Sequence, residues 1–166
     1  DIHFTSSEDE GYISQPDTST QRFTSAIKGQ GGEAGDQTWN LFDSSANTSS
    51  LVDWISTKQE TWTNNQLDVL DFVFSGDIKT NEFGNISMAA GLQLRKEEFS
   101  VTRDKDSRIE FDANGNISKS ADLLFLGGGI EASSKRDAMA AFAEFSIPLG
   151  DKLLLKTALR YEELED

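Results

Sequence analysis

One histidine, His3, and no cysteine leave this 166-residue chain few groups for catalysis or transition-metal binding. Thiolate nucleophiles, disulfides and Cys-based zinc sites are excluded outright. Gly-x-Ser-x-Gly, His-Glu-x-x-His and the phosphate-binding loop do not occur. Gly127-Gly128-Gly129 follows an apolar run, but no helix or acidic partner follows in register. It therefore reads as a flexible loop base rather than a dinucleotide cradle. Asp104, Asp106, Asp112, Asn114 and Asn116 are rich in oxygen, and calcium needs six to eight well-placed oxygens. Their Asp-x-Asn-Gly-Asn spacing fits a hairpin tip equally well. His3 reads as a solvated strand end. The expectation is a chain that is not an enzyme and holds no cofactor or resident metal.

A second set of residues is more informative. Asp71, Asp77, Arg95, Glu97, Glu144, Lys156 and Arg160 are charges placed in mid-strand, alternating with apolar residues. Opposite charges on neighbouring strands satisfy each other, so the set reads as a structural charge ladder. Its functional alternative is a wall that contacts a ligand, carried by Arg95, Glu144, Lys156 and Arg160. The aromatics Trp39, Phe42, Trp54 and Trp62 are candidates for contacting a bulky ligand; equally, they pack loop helices together.

The element that must position these charges is the stretch 136–164. At period two, Met139, Ala141, Ala143, Phe145 and Ile147 share one face, and Ala140, Phe142, Glu144 and Ser146 the other. Pro148-Leu149-Gly150-Asp151 is a tight turn. Beyond it, Leu153, Leu155, Thr157, Leu159 and Tyr161 alternate with Leu154, Lys156, Ala158 and Arg160. This is an antiparallel hairpin with an apolar face and a charged one. A turn centred on Gly150 sets Glu144 opposite Lys156 and Phe142 opposite Ala158. A water-soluble sandwich wants its inner face dry. The inversion suggests a strand pair whose outside meets lipid and whose inside meets a polar lumen.

The remaining elements follow in order. Residues 1–7 are a weak strand end, and 6–20 read as loop. Phe23, Ala26 and Ile27 recur at helical spacing, with Asp17 or Ser19 as N-cap and Gly29 as stop. Leu51, Val52, Trp54 and Ile55 make a second short helix, with Ser49 or Ser50 as N-cap and Asp53 at the capping-box position if Ser50 is the cap. Leu70, Phe72, Phe74 and Ile78 share one face of a strand; Ile86, Met88, Ala90, Leu92 and Leu94 share one face of a longer strand over 86–103. Between strands, long connections at 8–66 and 105–135 alternate with tight turns near 79–85 and 148–151. A small hairpin sits at Asn114-Gly115. The fold class is mainly β: an antiparallel meander of about five strands, hairpins at 67–104 and 136–164, and short helices in the long loops. Residues 1–166 form one piece of a β domain.

Net charge is −14, which argues against nucleic acid as a partner. No apolar run approaches the ~18–20 residues of a transmembrane helix. The chain opens without Met or a signal peptide and stops just after a strand, so it reads as part of something longer.

The run RDAMAAFAEFSIPLGDKLLLKTALRYEE resembles the barrel strands of TonB-dependent outer-membrane receptors: Arg-Asp, an apolar strand, Ile-Pro-Leu, a polar turn, and a strand closing on Arg-Tyr-Glu. Three further segments agree in order. TWNLFDSS followed by SSLVDWIS is similar to a loop region of one receptor branch, LDVLDFVFSGDI to its next strand, and MAAGLQLRKEEF to the strand after that. The resemblance implies part of a barrel of about 22 strands with a plugged lumen. It further implies a site in the outer membrane of a Gram-negative bacterium. Expected partners are outer-membrane lipid, a small-molecule or oligosaccharide substrate and, through parts missing here, a plug domain and the inner-membrane energy-transducing complex. The implied activity is energy-coupled import of a scarce large solute of siderophore, cobalamin or oligosaccharide type. This chain departs from the family in having no plug, no TonB box and no terminal aromatic strand, so it reads as a mid-barrel fragment unable to transport alone. The competing reading is a soluble β-rich domain that binds a protein or glycan through acidic loops. A complete eight-stranded barrel would need more strands than the pattern supplies.

Overall fold

The computed structural model describes residues 1–165. Seven strands and two helices follow in order: β1 (Ile2–Thr18), α1 (Thr20–Ile27), α2 (Ser49–Ile55), β2 (Ser56–Asn81), β3 (Gly84–Arg103), β4 (Glu110–Phe111), β5 (Ile117–Lys119), β6 (Ala132–Gly150) and β7 (Leu153–Glu165). The architecture is mainly β, with an antiparallel five-stranded sheet in the order β1-β2-β3-β6-β7. β4 and β5 form a separate small hairpin around Gly115, whose φ of 81° suits glycine.

Sequence expectation and structure part at β1. Residues 6–20 read as loop because acids and serines mask the alternation, yet the strand runs unbroken to Thr18. Its backbone is satisfied by β2, beginning where Val73 N donates to Asp1 O at 2.9 Å. β2 in turn starts at Ser56 rather than near 67. The connection expected over 8–66 is thus strand at both ends, with helices only in its middle.

The chain forms two compact units. Among the described residues, the first comprises 1–9, 64–99 and 133–165, and the second 10–63 and 100–132; β1, β2, β3 and, by its first residue, β6 contribute to both.

The first unit holds the two tight turns. They lie together: Asn81 Nδ2 donates to Pro148 O at 2.8 Å. Turn residues Asp151 and Lys152 close the β6–β7 hairpin, and a bulge lies between Pro148 and Gly150. That placement centres the ladder one residue later than a turn on Gly150 would. Glu144 therefore faces Ala158, Ser146 faces Lys156 and Phe142 faces Arg160. The expected Glu144–Lys156 opposition does not occur. A two-residue slip preserves parity, so each side chain keeps its expected face.

The second unit carries the helices. Ser19 caps α1: its Oγ accepts from Arg22 N at 3.1 Å, and the helix ends at Lys28 before Gly29, φ 77°. α2 is capped by Thr48, not Ser50, with Thr48 Oγ1 accepting from Leu51 N at 3.2 Å. Asp53 thereby falls outside the capping box. Ala26, Leu51 and Ile55 are buried between the helices, with Phe23, Trp39 and Trp54 packed on them.

Candidate functional site

The polar face of the first unit is a continuous network. Gln93 Nε2 on β3 donates to Asp71 Oδ1 on β2 at 2.8 Å, and Gln93 Oε1 accepts from Arg160 on β7 at 3.1 Å. Arg160 stands 3.6 Å from Glu162, whose other oxygen lies 3.3 Å from the Arg95 guanidinium. Arg95 Nε is 3.0 Å from Glu97 Oε1, an ion contact without hydrogen-bond geometry. Glu97 Oε2 accepts from Arg136 Nε on β6 at 3.1 Å. Seven side chains thus join four strands.

Two of these links pass over β6, which lies between β3 and β7. They can do so because β6 presents Ala138 and Ala140 there, both buried. Ala140 is the direct partner of Glu162. A longer side chain at 140 would fill the space that Arg95 and Glu162 cross. Phe142, next on the same face, packs where Gly91 has no side chain: a Cβ there would lie 2.6 Å from the Phe142 ring and 2.5 Å from Phe72 O. Nearer the turns, Asp77 accepts from Asn85 Nδ2 and Ser87 Oγ, both at 2.6 Å.

The expected site residues therefore separate. Arg95 and Arg160 belong to the network. Glu144 and Lys156 lie at its turn end, both exposed, with no ion pair between them. Trp39 and Trp54 are half-buried on the α1–α2 core, where Trp39 meets Phe23 edge-on at 5.7 Å and 68°; their position is that of helix packing. Phe42 is fully exposed. Trp62 stacks on Tyr12 at 5.5 Å, and the Tyr12 hydroxyl donates to Glu60 at 2.6 Å. Glu162, Gln93, Arg136 and the two alanines were missed by sequence reasoning. Their signal was opposite charges of matching parity two strands apart, with small residues on the strand between.

The second unit contains a carboxylate clasp. Asp17, 8% exposed, accepts from the amides of Thr18, Phe125 and Leu126 at 2.6, 3.1 and 2.8 Å. Burial alone would raise its pKa; the amides of Thr18, Leu126, Phe125 and Leu124 outweigh burial and hold it below the usual aspartate value. Asp122 reciprocates, accepting from Ser19 Oγ at 2.5 Å and Gln21 N at 2.8 Å at the start of α1. Of the triple glycine, Gly128 and Gly129 are close-packed, while Gly127, φ 65°, has open space around it. A Cβ on Gly128 would lie 2.6 Å from Ser107 O, and one on Gly129 2.6 Å from the Arg103 guanidinium carbon.

The oxygen-rich stretch 104–116 is used internally. Asp112 Oδ1 accepts from the amides of Asn114 and Asn116 at 2.8 and 2.9 Å, forming the hairpin tip. Asp104 accepts from Asp106 N at 2.8 Å and from the Ser107 hydroxyl. Among the described residues no group of three His, Asp or Glu side chains converges on a common point as a metal set would.

Compared with protein-family models, with curated proteins and with solved structures, the chain matches none.

Proposed function

We propose that this chain is part of the wall of a TonB-dependent outer-membrane receptor, a transporter that imports a scarce large solute of siderophore, cobalamin or oligosaccharide type. The observation that carries the reading is the contrast between the two faces of the first unit. One face holds the charge network. The other leaves Phe74 70% and Leu159 76% exposed, together with Leu92, Leu94, Leu153 and Leu155. Large apolar side chains exposed in series call for an apolar solvent, and a sheet with a polar opposite face suits a barrel between lipid and lumen. The close pair of tight turns, at 82–83 and 151–152, supports it too, since such barrels have short turns at one end. On this reading the membrane-spanning stretches lie in the strands of the first unit, and the helices, clasp and β4–β5 hairpin lie outside the membrane.

Site-directed spin labelling tests the assignment, and the lack of cysteine makes each introduced label unique. Labels at Leu155 and Leu159 should be accessible to dissolved oxygen and shielded from a water-soluble nickel chelate. Labels at Lys156 and Arg160 should show the reverse. Chelate access on both faces in membranes would sink the reading and leave the soluble binding domain in its place.

A further inference from the structure

The apolar face has a concavity set among carboxylates. A cavity of about 480 Å3 in the first unit is lined by Phe4, Leu70, Leu94 and Met139, one from each of β1, β2, β3 and β6. Around it stand Asp68, Asp137, Glu163 and Glu165, with the cations Lys96 and Arg95, the latter already held by Glu97 and Glu162 on the polar face. The register places these acids. Met139 faces Glu163 and Asp137 faces Glu165 across the β6–β7 ladder. Asp68 is pinned by donors from Ser6 Oγ at 2.6 Å and Gln66 Nε2 at 3.0 Å. Lys96 Nζ lies 2.8 Å from Glu98, so its charge is already answered by a carboxylate outside the groove. What remains is an apolar floor under a negative rim.

We propose that this groove binds an amphiphile with a positively charged head and a hydrocarbon tail, the tail on Phe4, Leu70, Leu94 and Met139 and the ammonium among the carboxylates. The floor alone would accept any alkyl chain, because burial of apolar area is non-directional. The rim selects the head. An ammonium replaces water there with opposite charge, whereas a carboxylate or phosphate head would meet like charge, which is strongly unfavourable in a desolvated contact. Another cavity on this sheet, lined by Met88, Phe145 and Thr157 with Asp77 and Glu144 beside Lys156, has a weaker negative bias. The proposal stands apart from transport: it requires the groove, not an importer.

The chain has two methionines, Met88 and Met139, one in each cavity, so methyl-labelled methionine supplies a reporter and a control in one sample. The whole chain in dodecyl maltoside micelles is titrated with dodecyltrimethylammonium and, separately, with dodecanoate. The Met139 resonance should shift at about tenfold lower ammonium than dodecanoate, with Met88 little changed. The triple variant Asp68→Asn, Asp137→Asn, Glu163→Gln should erase the difference. Should that variant fail to fold, Glu163→Lys at an exposed position should by itself weaken the ammonium response. Equal response to both heads, parallel shifts of Met88 and Met139, or a charge preference that survives these substitutions would each overturn the proposal.

Discussion

Arg95 on β3 and Glu162 on β7 meet at 3.3 Å although β6 runs between them, and Ala140 beneath them is 3% exposed. A small residue on the middle strand is the condition for an ion pair that skips a strand. The first prediction follows from this. Ala140→Leu should separate Arg95 from Glu162 and destabilise the first unit by about 1–3 kcal/mol, the usual cost of overpacking. Urea unfolding in detergent micelles measures it. An unchanged midpoint would mean that the pair has another route.

The pair itself is half-wet, with side chains 28% and 34% exposed. A double-mutant cycle of Arg95→Gln and Glu162→Gln should give a coupling of only about 0.2–1 kcal/mol. It should shrink with added salt. The corresponding cycle for Glu144 and Lys156, which do not face each other, should show much weaker coupling.

Asp17→Ala removes the acceptor that holds three amides. The loss should cost about 0.5–1.5 kcal/mol, the usual worth of such hydrogen bonds, since the donors are only part-buried, and hydrogen exchange at Phe125 and Leu126 should accelerate. Lowering the pH should imitate the mutation. The folded-state pKa of Asp17 is depressed, so its stabilisation is present above the unfolded value. It is lost as pH falls below about 4 toward the folded value. Exchange at these two amides that stays slow through that range, beyond the intrinsic pH effect on exchange, would contradict the clasp.

Phe145→Asp places a charge on the apolar face. In detergent-free buffer the chain should then self-associate less, and, on the proposed membrane-wall reading, the same change should hinder insertion. Sedimentation reads the first and heat-resistant folding in detergent the second. The sheet edges are β1 and β7, and β1 covers β2 up to Val73, where Asp1 pairs with it. Edge pairing between copies should therefore involve 152–161 but not 68–73. Cross-links formed at the latter would count against the strand order.

Period-two alternation determined by itself which residues share a face in β2, β3, β6 and β7, because strand side chains alternate whatever the strand's partner. Local chemistry likewise determined the α1 stop and the Asn114-Gly115 hairpin tip, and narrowed the α1 cap to Asp17 or Ser19, of which the structure uses Ser19. It did not determine β1, whose long polar stretch is strand only because β2 supplies its ladder. Nor did it determine register: a turn at 151–152, together with a bulge between Pro148 and Gly150, set Glu144 opposite Ala158 rather than Lys156, and nothing in residue types forces that step. The link between Arg95 and Glu162 needed more still. It depends on strand order, on β6 lying between, and on alanines at the crossing. Those are relations between segments distant in sequence, and only the tertiary structure brings them together.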